Sequence, residues 1–149
     1  MIDRLHHIGL AVPSIDEALG FFRDVMGTPV LADAPVGDGS TRAVMVGLGE
    51  HAIELMQPLR ESSGLVSFLA AKGPSLHHVC FATDDIDAEL ARLQTAGVAL
   101  LDRAARPSIS GRIAFLDPRG MHGMLVQLVE PDPAFPTSDA PGIDHLATL

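Results

Sequence analysis

The sequence predicts an α+β protein: two tandem βαβββ modules forming a half-open barrel around a central cleft. Three observations carry this expectation. Leu5-His6-His7 returns 71 residues later as Leu76-His77-His78. Ile15-Asp16-Glu17-Ala18 returns at the same offset of 71 as Ile86-Asp87-Ala88-Glu89. AIELMQP at 52–58 is answered 73 residues on by LVQLVEP at 125–131, so two additional loop residues are expected in the second module. Self-similarity at one spacing marks a repeated supersecondary unit. The modules cover about 1–71 and 72–131 of a single domain, followed by a tail at 132–149.

Each element follows from local pattern. The first strand alternates, placing His7, Gly9 and Ala11 on one face. Ser14 stands at an N-cap position with acidic residues in the next turn. Ile15, Ala18, Leu19, Phe22 and Val25 then follow helical spacing, and Gly27 stops the helix. Strands are expected around 28–33, 41–47 and 51–57, with Gly37-Asp38-Gly39 as a turn. The second module repeats the order. Asp84 or Asp85 caps a helix carrying Ile86, Leu90 and Leu93, with Val98 as a further candidate, and Gly97 stops it. Strands follow around 98–102, 111–116 and 123–130, with Asp117-Pro118-Arg119-Gly120 as a turn. A module this small leaves one sheet face uncovered. Two modules together can enclose that face as a pocket.

Composition narrows the function. Apolar residues make up 47% of the 149, enough for a buried core. The net charge of -9, with nine Arg and one Lys, argues against nucleic acid, whose binding requires cations to displace phosphate counterions. A local Arg group can still hold an anionic small molecule. A single cysteine, Cys80, precludes an internal disulfide and fits a reducing compartment. MIDRLHH lacks the pattern of a signal peptide, and no apolar run reaches the ~20 residues that span a bilayer. A soluble cytoplasmic protein with no membrane contact is expected.

Chemistry concentrates in the repeated strands. Neighbouring strand side chains point to opposite faces, so one histidine of each pair is expected to face the cleft. Glu54 and Gln127 hold matched positions, each between apolar residues in Ile53-Glu54-Leu55 and Val126-Gln127-Leu128. A buried polar side chain costs ~1–3 kcal/mol without a partner. Two imidazoles, one carboxylate and one amide oxygen brought together by the repeat suit a divalent metal with open positions for water or substrate.

Several stretches carry a family resemblance: LHHIGLAVPSIDEALGFFRDVMG, AIELMQPL, SFLAAKGPSLHHVCFATDDIDAELARLQTAGVALLD and IAFLDPRGMHGMLVQLVE. In order and spacing they resemble the vicinal oxygen chelate superfamily (glyoxalase, bleomycin resistance and dioxygenase proteins), and within it the methylmalonyl-CoA epimerases. The resemblance implies that the second histidine of each pair is a ligand, giving a metal set of His7, Glu54, His78 and Gln127. It implies a divalent ion (Co, Ni, Zn, Mn or Mg), a homodimer and an acyl-CoA as the small-molecule partner. The implied reaction is epimerisation of a malonyl-type thioester through a metal-stabilised enolate. Glu54 is the candidate catalytic base, as the carboxylate of that set.

This chain departs from the family pattern in places. The family expects Glu where Gln127 stands, and an amide takes no proton at neutral pH. Ser108-Ile109-Ser110-Gly111 replaces a GAHG-like turn, and Asp117-Pro118-Arg119 replaces a His-Pro-Lys turn. Epimerisation needs a proton on each face, so one carboxylate and one amide also fit a glyoxalase-like lyase or isomerase acting on another small oxyanion substrate. A metal-free binding protein of the same fold is the third reading. Its pockets are aromatic, and aromatics are only 4% here. Other residues have simpler readings. Cys80 is expected as a small buried hydrophobe on the face of His78, and His51 and His122 as exposed. Arg103, Arg106, Arg112 and Arg119 are expected as solvated charges.

Overall fold

A computed structural model of the protein describes residues 1–135. The tail expected at 132–149 thus lies almost wholly outside the described residues. The chain forms two compact units. One contains Ile8–His77, and the other joins Met1–His7 to His78–Phe135. Strand β1 (Ile2–Ala11) contributes its first part to one unit and the remainder to the other.

In the unit of Ile8–His77, β2 (Val30–Val36), β3 (Thr41–Leu48) and β4 (His51–Pro58) form an antiparallel meander. Helix α1 (Ile15–Phe22) covers one face of it. Ile15 and Leu19 pack there against Val44, Val46, Ile53 and Leu55, with Ile8 and Leu10 beside them. Ser14 caps the helix by accepting a hydrogen bond from the Glu17 amide. The helix ends at Phe22, earlier than the apolar spacing implied. Val25 lies in the following turn, 74% exposed, and Gly27 adopts a φ of +75° there. A second helix in this unit, α2 (Gly64–Lys72), was not anticipated. Its Leu65, Phe68 and Leu69 pack on Ala11 and Met56, the face of β4 opposite α1.

In the other unit, β5 (Ser75–Thr83) enters and pairs in parallel with β8 (Val126–Pro131). Beyond β8 lie β7 (Gly111–Phe115) and β6 (Arg106–Ser108), both antiparallel. Asp85, not Asp84, caps α3 (Ile86–Thr95) by accepting from the Ala88 amide. Ile86, Leu90 and Leu93 of α3 pack on Ala114, Leu116, Val126 and Leu128. The strand expected at 98–102 is reduced to one bridge between Leu100 and Leu116, and β6 forms further along. Asp102 explains the break: its carboxylate accepts from the Phe115 amide and takes a place a strand backbone would fill. Gly111 is dictated by space. At a φ of +145°, a Cβ on it would lie 2.1 Å from the Glu130 carbonyl oxygen.

The repeat extends to how each helix is started. Gln57 Oε1 accepts from the Ile15 amide at 2.8 Å, and Glu130 Oε2 accepts from the Ile86 amide at 2.9 Å. Each residue sits three positions after Glu54 or Gln127 on its strand, so Glu54 and Gln127 occupy equivalent places in β4 and β8.

Candidate functional site

The face of the β5–β8–β7 sheet that α3 does not cover holds a small apolar floor of Cys80, Ala82, Ile113 and Val129. His78 lies two residues before Cys80 on β5 and so shares this face. Cys80 is in register with Gln127 of β8, and Gln127 with Phe115 of β7, which places both side chains there too. The His78 and Phe115 rings meet edge to face with centroids 5.7 Å apart.

His7 arrives on β1, nearly sealed at 1% exposed. Its Nε2 lies 3.1 Å from His78 Nε2, with the two rings nearly perpendicular. Two histidines 71 residues apart thus turn the same ring nitrogen toward one point. Gln127 is buried as well. Among the described residues, its Oε1 is a buried side-chain oxygen without a hydrogen-bond partner. Leaving such a carbonyl unsatisfied costs about 1–3 kcal/mol, and a cation or a bound hydroxyl would recover it.

Alternation admits one histidine of each pair to the cleft and the resemblance chooses His7, yet His6 is also buried and in contact with it. His6 is 5% exposed, and its Nδ1 lies 2.8 Å from His7 Nδ1. Alternation fixes where each Cβ points. Nδ1 sits next to Cγ, so adjacent rings can still turn edge-on and meet along the strand. His6, His7 and Cys80 form one group of possible metal-binding side chains, with ligand atoms all within 4.8 Å of one another. The pairing of His6 with His7 could be found in the repeated dipeptide itself, but not from strand periodicity.

Glu54 belongs to the other unit. It is buried at the middle of β4, in register with Met45 of β3. In the same unit His77 stacks edge-on against Phe68, over whose ring the Lys72 ammonium also lies. Burial lowers the His77 pKa, Glu54 raises it and Lys72 lowers it further.

The remaining candidates fall as the sequence indicated. His51 and His122 are exposed, and His122 occupies a turn at a φ of +56°. Arg112 binds the Asp87 carboxylate, Arg106 reaches Asp102, and Arg119 binds Asp117. The Arg119 guanidinium holds the Asp117 carboxyl at about 2. Arg103 is exposed. Among the described residues no helix is long and apolar enough to cross a membrane.

These features fall within a known class of protein. Residues 6–115 match the Glyoxalase/Bleomycin resistance protein/Dioxygenase superfamily, and the chain belongs to it. Its fold of paired βαβββ modules is the fold of methylmalonyl-CoA epimerases. The chain aligns with a Streptomyces coelicolor methylmalonyl-CoA epimerase variant in complex with 2-nitronate-propionyl-CoA at a TM-score of 0.84. The two are 30% identical, over 91% of this chain and 99% of that one. The Ethylmalonyl-CoA/methylmalonyl-CoA epimerase of Cereibacter sphaeroides is 35% identical over 86% of this chain and 98% of its own length. The mitochondrial methylmalonyl-CoA epimerase of Mus musculus is 34% identical over 85% of this chain and 72% of its own. These relatives support an epimerase-like function.

Proposed function

We propose that the protein is a metal-dependent epimerase of a malonyl-type acyl-CoA, with His7, His78, Gln127 and Glu54 as the ligand set. The observation that carries this reading is the approach of two Nε2 atoms to 3.1 Å beside a buried, unpartnered amide oxygen. Two imidazoles and an amide oxygen fit a borderline divalent cation. A cation there supplies Lewis-acid stabilisation of the negative charge that grows on the substrate's oxygens as the α-proton leaves. Glu54 is the proposed fourth ligand and the base. Its support is its equivalence to Gln127, shown by the matching roles of Gln57 and Glu130 three residues on. Its burial in β4 keeps bulk water from its carboxylate. Gln127 holds an oxygen in place and moves no proton. The acyl-CoA assignment rests on the complexes and names of the relatives.

Gln127 favours one other reading. With a single carboxylate, proton removal and return on one face is easier than transfer across both, as in a glyoxalase-like isomerase or lyase. Deuterium uptake separates the two. Purified wild type should carry one divalent ion per chain, lost in His7→Ala and His78→Ala. It should exchange the α-proton of methylmalonyl-CoA for solvent deuterium and convert one epimer to the other. Exchange without inversion would identify a one-base enzyme. A protein that takes up no Co²⁺, Ni²⁺ or Zn²⁺ would overturn both readings and leave a metal-free binding protein.

A further inference from the structure

His6 has no part in the ligand set, yet it is buried and in direct contact with a member of it. We infer that His6 is a positioning residue: its Nδ1 accepts the Nδ1 hydrogen of His7 and so keeps the His7 Nε2 lone pair available. The inference rests on the proposed metal site and adds the residue that selects its working tautomer.

The argument is one of proton placement along three imidazoles. His6 Nδ1 meets His7 Nδ1 at 2.8 Å, and His7 Nε2 meets His78 Nε2 at 3.1 Å. A neutral imidazole has one N–H and one lone pair. Without a cation, two arrangements satisfy both contacts. Either His7 donates from Nδ1 to His6 and accepts from His78, or it accepts from His6 and donates from Nε2 to His78. Only the first leaves His7 Nε2 able to bind a cation. It requires the His6 proton on Nε2. Cation binding then displaces only the His78 Nε2 proton. In the second arrangement both His6 and His7 would have to change tautomer before His7 Nε2 could bind. Packing keeps His6 in place for this role: its ring sits against Phe135, with centroids 6.0 Å apart, and meets the His7 ring edge-on at 5.1 Å. A hydrogen-bond acceptor behind a ligating histidine fixes both its tautomer and its orientation, and losing one typically costs 10–100-fold in metal affinity.

The test compares wild type with His6→Leu, which removes the acceptor at similar bulk, and His6→Asn, which restores an acceptor oxygen. Co²⁺ titration should give a Kd roughly 10–100-fold weaker in His6→Leu, with most of the loss recovered in His6→Asn. Long-range 1H–15N correlation spectra of the imidazoles supply an independent readout. His7 should be protonated at Nδ1 in wild type and in His6→Asn, and shifted toward Nε2 in His6→Leu. Equal Co²⁺ affinity in wild type and His6→Leu would overturn the inference. So would a wild-type His7 protonated at Nε2. If wild type binds no Co²⁺, the metal reading fails, and the His7 tautomer still decides the role of His6.

Discussion

Gln127 holds a carbonyl oxygen out of water with no partner among the described residues. Such an oxygen is a stability cost. Gln127→Leu keeps the volume and removes the unsatisfied group, so the metal-free protein should gain about 1 kcal/mol in urea unfolding. The same change should weaken Co²⁺ binding. A loss of stability would mean that the amide is paired in solution, and the case for it as a ligand would weaken. At this scale the sequence was informative where the repeat spoke. His7, His78, Glu54 and Gln127 were singled out as candidates because each has a counterpart in the other module. His6 was missed because periodicity describes Cβ directions only, while the contact is made by a ring nitrogen beyond Cγ.

Strands and helices are tied together by long-range caps that local pattern does not reveal. Ser14 and Asp85 were readable as N-caps, since the acceptor lies three residues before its donor. Gln57 and Glu130 cap the same helices from 42 and 44 residues away. Gln57→Ala should cost about 1 kcal/mol, and Glu130→Ala somewhat more because its acceptor is charged. Glu130→Gln should recover most of the loss. Urea denaturation of the three variants checks the order, and an unchanged Glu130→Ala would show that the cap contributes nothing. Helix α2 escaped notice for a different reason. GLVSFLAAK has apolar residues around its circumference, so no single stripe announces it. Strand β6 was misplaced because 98–102 has the composition of a strand, but the Asp102 carboxylate takes the Phe115 amide that a strand carbonyl would take, while the Leu101 and Asp102 amides share the Phe115 carbonyl.

At the scale of the molecule, the repeat made the order of elements legible and hid one rearrangement. The first seven residues belong with His78–Phe135 and not with the strands that follow them in sequence. His7 and His78 are thus a tie between the chain's start and the first strand of the second module, within one unit. An ion held by that pair can bind only when the tie is formed, so it stabilises the folded chain against the unfolded one. At a free Co²⁺ concentration 100 times its Kd, the gain is about 2.7 kcal/mol. For a chain of this size each kcal/mol raises Tm by roughly 2–4 °C, so thermal unfolding should shift upward by several degrees on Co²⁺ addition and return with a chelator. His7→Ala and His78→Ala should each abolish the shift, measured within each variant against its own metal-free Tm. Cys80→Ser tells the two groups around His7 apart. If the ion sits between the two Nε2 atoms, the shift survives. If it sits among His6, His7 and Cys80, the loss of the thiolate removes most of it, and the proposed ligand set is wrong.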